Sequence, residues 1–203
     1  MILSFGPSFP KAPLKCALAI ILALSLAIPD RSVAHEFTLA IRADNAGQLA
    51  SAIRGVRLAS TERDGHSNET SDGHLGGLDL IIQPEPVGAV HGVDWLKRPE
   101  GGVPDIILLM SGDADIVDGD ASGGLAMGTG RLRPDIAWDD DGRSPDGFVA
   151  RFRALFAQSP DLSAAMAYNA ARRIDLAVRP LGSVDDRAAL AESLSDTRLG
   201  IDW

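Results

Sequence analysis

The run Asp105-Ile106-Ile107-Leu108-Leu109-Met110 decides the fold. It is continuously apolar rather than alternating, which is how a strand reads when helices cover both faces of a parallel sheet. Upstream, Leu78–Gln83 (LDLIIQ) is a second strand-like run, stopped by Pro84. His35–Ile41 (HEFTLAI) is a third, punctuated by the turn formers of residues 42–47 (RADNAG). From Gln48 to about Arg63, Leu49, Ile53, Val56, Leu58 and Ala59 recur at helical spacing, with Gly55 as a weak point inside the helix. Asp64–Gly77 (DGHSNETSDGHLGG) reads as an irregular polar connector, and Val90–Leu96 as a short helical or irregular passage leading to Pro99-Glu100-Gly101-Gly102.

Downstream, Ser111–Gly130 is rich in Gly and Asp and reads as loop, and Ile136–Trp138 as a fourth short strand. The remainder is helical. Pro145–Gln158 carries Phe148, Phe152, Leu155 and Phe156 on one face, and Leu162–Val178 places Met166, Ala170, Ile174 and Val178 on a stripe. Val184–Leu194 forms a short last helix, and Asp161 and Asp185 sit where N-caps or first-turn acids belong. Strand–helix–strand–helix–strand followed by helices predicts an α/β fold, a mainly parallel sheet flanked by helices on both faces. In such sheets ligands sit beyond the carboxyl ends of the strands. Those ends are the 42–47 turn, the 84–89 segment and the loop starting at Ser111.

Residues 1–34 read as a secretory signal peptide. Lys11 and Lys15 precede an apolar stretch, Cys16–Pro29, and Ser32-Val33-Ala34 offers small side chains to a signal peptidase. The stretch falls short of the roughly 20 residues that a bilayer crossing needs. The expectation is export to the periplasm with cleavage after Ala34, leaving residues 35–203 as a single domain. The removed segment carries Lys11, Lys15, Arg31 and Asp30, so the formal net charge of −9 becomes −11. A polyanion of that kind is a poor partner for nucleic acid or an anionic membrane surface. Cys16, the single cysteine, leaves with the signal, and the mature chain then has no disulfide, thiolate site or cysteine nucleophile.

Two segments carry a resemblance. Ala52-Ile53-Arg54-Gly55-Val56-Arg57-Leu58-Ala59, followed by Gly-Gly-Leu-Asp-Leu-Ile-Ile at 76–82, resembles the first helix and second strand of type I periplasmic solute-binding proteins. These are the branched-chain amino acid and amide receptors of ABC importers. Phe148-Val149-Ala150-Arg151-Phe152-Arg153-Ala154-Leu155-Phe156 resembles their late helix. Ser159-Pro160-Asp161, Ala167-Tyr168-Asn169-Ala170-Ala171-Arg172 and Gly182-Ser183 then follow in the family's order. The resemblance implies one lobe of such a receptor, since nearly all of a second lobe is missing between Met110 and Phe148. It implies non-catalytic recognition of a small polar solute, with an ABC permease or another periplasmic or membrane protein as partner. One lobe cannot close by hinge motion, so binding would use an open face or a cleft completed in a homodimer. Of the family's headgroup contacts only the position of Ser111 has a counterpart, with Asp113 and Asp115 beside it as ligand-binding candidates.

Other clusters suggest metal chemistry. Asp64, His66, Glu69, Asp72 and His74 combine imidazoles and carboxylates suited to zinc or nickel, at no standard spacing. Asp113, Asp115, Asp118 and Asp120, and then Asp139, Asp140 and Asp141, are dense enough for a hard cation but lack EF-hand spacing. A mature N-terminal His35 would pair an α-amine with an imidazole. No cofactor motif is present: there is no Gly-x-Gly-x-x-Gly, P-loop or Gly-x-Ser-x-Gly elbow. With no nucleophile, base and orienting group at a convincing spacing, an enzyme is not expected. The alternatives to a receptor are an accessory protein that keeps the lobe without a pocket, and a periplasmic metal carrier.

Overall fold

Strand β1, Glu36–Arg42, occupies the middle of the sheet and is the reason its two halves cohere. The computed structural model describes residues 36–63, 71–85, 103–111, 124–129 and 147–196, within a unit spanning Ala34–Trp203. β1 pairs in parallel with β3 (Leu78–Glu85) on one side and β4 (Ile106–Leu109) on the other. β5 (Leu125–Gly128) adds in parallel to β4, and the two-residue β2 (His74–Leu75) lies antiparallel on β3. The order is β2-β3-β1-β4-β5. The fold is therefore α/β with a mainly parallel sheet.

Alternation sorts the strand residues onto two faces. Phe37, Leu39, Ile41, Leu80, Ile82, Ile106, Leu108, Leu125 and Met127 join one core. Into it pack helices α1 (Ala46–Thr61), α2 (Phe148–Phe156), α3 (Leu162–Val178) and α4 (Arg187–Asp196). Ala40, Ile107 and Ala126 form a small second cluster on the other face, also buried. Burial on both faces explains why the β4 run reads as continuous. Among the described residues every helix contributes to the first face; the segments joining β3 to β4 and β4 to β5 lie outside them.

Several expectations are corrected. β3 does not stop at Pro84 but continues to Glu85, in register with Arg42. The amides of Leu80 and Ile82 point to the outer edge of β3, where they donate to Gly73 O and the Asp72 carboxylate. Pro84 has the same parity, so its missing N–H faces that edge and no ladder bond is lost. The connector before β3 contains β2, closed by Gly76 and Gly77 at φ +66° and +85°, the two-residue hairpin turn that glycines favour. The Gly-rich stretch after Ser111 contains β5, a short edge strand whose Ala126 and Gly128 carry little strand signal. Asp161 caps α3 as expected, accepting from Ala164 N at 2.9 Å. The last helix starts later than Val184, and Asp186 rather than Asp185 accepts from its first turn, at Ala189 N. The signal peptide, Val90–Leu96 and Ile136–Trp138 lie outside the described residues.

At Gly55, α1 lies against the backbone of α3. A Cβ built there would lie 2.1 Å from Ala164 O and 3.0 Å from Tyr168 N. The residue that weakens the helix locally is what allows two helical backbones to touch. Gly→Ala inside a helix ordinarily gains about 1 kcal/mol. Here the opposite sign is expected: Gly55→Ala should cost about 2 kcal/mol or more, because backbone cannot move aside as a side chain can. Urea unfolding checks it, and an unchanged or raised midpoint would refute the crossing. At the end of α2, Ala157 adopts φ 54°, ψ 26°, the left-handed conformation glycine takes without strain. Ala157→Gly is expected to stabilise the protein by about 0.5–1 kcal/mol, net of the extra freedom glycine gives the unfolded chain.

Candidate functional site

Because β1, β3, β4 and β5 are parallel, their carboxyl ends share one edge of the sheet. From β1 the chain moves outward to β3 on one side and returns to β4 on the other. The strand order therefore reverses between β1 and β4, the position where open α/β sheets receive ligands.

Asp44 and Ser111 meet at this point. The Ser111 hydroxyl donates to Asp44 Oδ1 at 3.0 Å, and both residues are exposed. Local chemistry fixes Asp44 well. Asn45 caps α1, its side chain accepting from Gln48 N at 2.9 Å, while Gln48 Oε1 reaches back to accept from Asp44 N at 2.8 Å. Reciprocal bonding of this kind defines the entry of a helix and satisfies amides that have no intrahelical partner. Ser111 is held by the turn after β4. Met110 N donates to Arg42 O at 2.9 Å, and the buried Thr129 hydroxyl donates to Met110 O at 3.0 Å. Arg42 Nε pairs with Glu85 Oε2 at 3.0 Å on the neighbouring strand ends. With Arg42 side chain 43 % exposed, that pair contributes little to stability.

The edge thus offers an exposed carboxylate, a hydroxyl beside it, and the positive end of the α1 dipole. Such a set recognises polar groups through hydrogen bonds. Among the ligand-binding candidates, Ser111 is placed here, and Asp113 and Asp115 lie outside the described residues. Asp44 was legible only as a turn former; its pairing with a residue 67 positions away needed the strand order.

Two members of the imidazole–carboxylate cluster have other work. Asp72 is fully buried, accepts from Ile82 N at 2.9 Å, and lies 3.9 Å from Arg57 Nη1. His74 Nε2 lies 2.6 Å from Asp79 Oδ1, directly across the β2–β3 hairpin. Both side chains face the strand β3 that they help to pair. Asp64, His66 and Glu69 lie outside the described residues, as do Asp118, Asp120, Asp139, Asp140, Asp141 and His35. Among the described residues, no group of three or more His, Cys, Asp or Glu side chains could hold a metal ion. Nor, among them, is any helix long and apolar enough to cross a membrane.

A second polar network lies at the opposite end of α1. Tyr168 donates to Glu62 Oε2 at 2.7 Å and accepts from Arg151 Nη2 at 3.0 Å, while Arg151 Nε donates to Glu62 Oε1 at 2.7 Å. Burial, reinforced by the Glu62 charge and its hydrogen bond, pushes the Tyr168 phenol up to about 12, against partial opposition from Arg151 and Arg172. The network ties α1, α2 and α3 together and stands away from the carboxyl edge.

Comparison of the chain with family models, with curated proteins and with solved structures finds no match.

Tyr168 is the single tyrosine, so its ionisation can be followed without interference. Phenolate absorbance of the native protein is expected to titrate near pH 12, against about 10 in the unfolded chain. The raised value means the folded state holds its proton more tightly. The stability this supplies is complete below pH 10 and is lost as pH rises through 12. A native titration midpoint near 10 would show that the Tyr168 phenol is not buried beside Glu62.

Proposed function

We propose that this protein is an exported, non-catalytic receptor for a small polar solute, related to one lobe of a type I periplasmic solute-binding protein and serving an ABC importer. The observation that carries the proposal is the meeting of Asp44 and Ser111 where the strand order reverses. Three further features support it. The strand order, reversing beside β1 with β3 on one side and β4 on the other, is the parallel order expected of such a lobe. Ser111 is the one position the family resemblance singles out for ligand contact. A signal-like segment precedes the domain. In this reading Asp44 accepts a hydrogen bond from an ammonium, hydroxyl or amide group of the solute, and Ser111 orients the carboxylate. The solute meets a preformed surface, and the importer's permease receives it in the periplasm.

The test is thermal denaturation of the chain from His35 onward against amino acids, amides, short carboxylates, small alcohols and metal ions, with a chelator control. A ligand at one hundred times its Kd stabilises by about 2.7 kcal/mol. For a domain of this size that raises the Tm by about 5–10 °C. One organic class is expected to give this shift saturably. Asp44→Asn and Ser111→Ala should each weaken the response about tenfold or more, the loss of a hydrogen bond to a charged group. Both residues are exposed, so the unliganded Tm should stay within a few degrees. A cooperative melt that no organic solute moves would overturn the receptor and favour an accessory protein. A shift from a metal alone, reversed by chelator, would replace it with a carrier.

A further inference from the structure

We draw no further inference here: the strongest candidate, the exposed Asp44 carboxylate that Ser111 holds at the N-terminus of α1, belongs to the site already described, and no second feature among the described residues points to a particular ligand for it.

Discussion

The contact between Gly55 and Ala164 is the constraint from which the helical layer follows. Without a side chain at Gly55, α1 lies directly on the backbone of α3. At such a distance the facing surface must also be small, and α3 supplies Ala164, Ala167 and Ala171 at helical spacing, all buried. A thin helix can sit deep. Leu176 is the exposed residue of α3, and the remainder of the helix is buried or half-buried. The crossing is held on its flanks by Ser51, whose hydroxyl donates to the α3 cap Asp161 at 2.7 Å, and by the Glu62–Tyr168 bond. Dispersion between close-packed atoms rewards this geometry, and a single methyl group would forfeit it.

A helix buried on most sides leaves its polar side chains no water, so each must find protein partners. The partners of α3 are its neighbours, and this converts a packing hub into a positional one. Tyr168 binds the end of α1 and the guanidinium of Arg151 on α2. Arg173 donates to the carbonyl of Leu194 near the end of α4, where helical carbonyls lack intrahelical partners. Asp175, fully buried, accepts from Gly76 N at 2.8 Å and is neutralised by Arg179 at 2.8 Å and Arg63 at 3.4 Å. Removing that carboxylate would leave the hairpin amide unsatisfied, which costs more than the bond itself supplies. The hairpin in turn carries Asp72 to the outer edge of β3, so the influence of α3 reaches the rim of the sheet through two residues.

Much of this was legible in the chain because it follows from periodicity. The continuous apolar run of β4, the stripe along α3 and the Asp161 cap need no long-range information. Pro84, β5 and the β2 hairpin were not legible for a shared reason: each depends on which side of a strand is paired. Proline ends a strand only where its missing N–H faces a neighbour, and at β3 it faces the rim. Leu125–Gly128 becomes a strand through its partner β4, since its own Ala and Gly residues argue weakly for one. Asp72 and His74 show the same limit at the level of chemistry. Their composition suits a metal, whereas position gives Asp72 an edge amide and His74 a facing aspartate. Ser111 could be found by counting to the end of an obvious strand, and Asp44 could not be assigned to it without knowing that β1 and β4 are neighbours.

That neighbourhood also accounts for the precision of the candidate site. The last paired residues of β1 and β4 are Arg42 and Leu109. Asp44 and Ser111 each follow by two residues, so the sheet register itself brings them level. A slip of one residue would separate them and exchange the β4 side chains between its two buried faces, moving Ile106 and Leu108 out of the core that the helices cover. From the other direction, Asp44 is attached to α1 through the Asn45 cap, and α1 is pinned at Gly55. Gly55 lies nine residues along the helix from Ala46, about 14 Å at 1.5 Å per residue. Two independent rigid elements thus fix the two halves of the pair, and neither is a long loop. A polar pair assembled in this way is preorganised, so any group that hydrogen-bonds to it spends little of its binding energy on ordering it. The proposed receptor would depend on this property, because a ligand meeting an open face gains no ordering from closure around it.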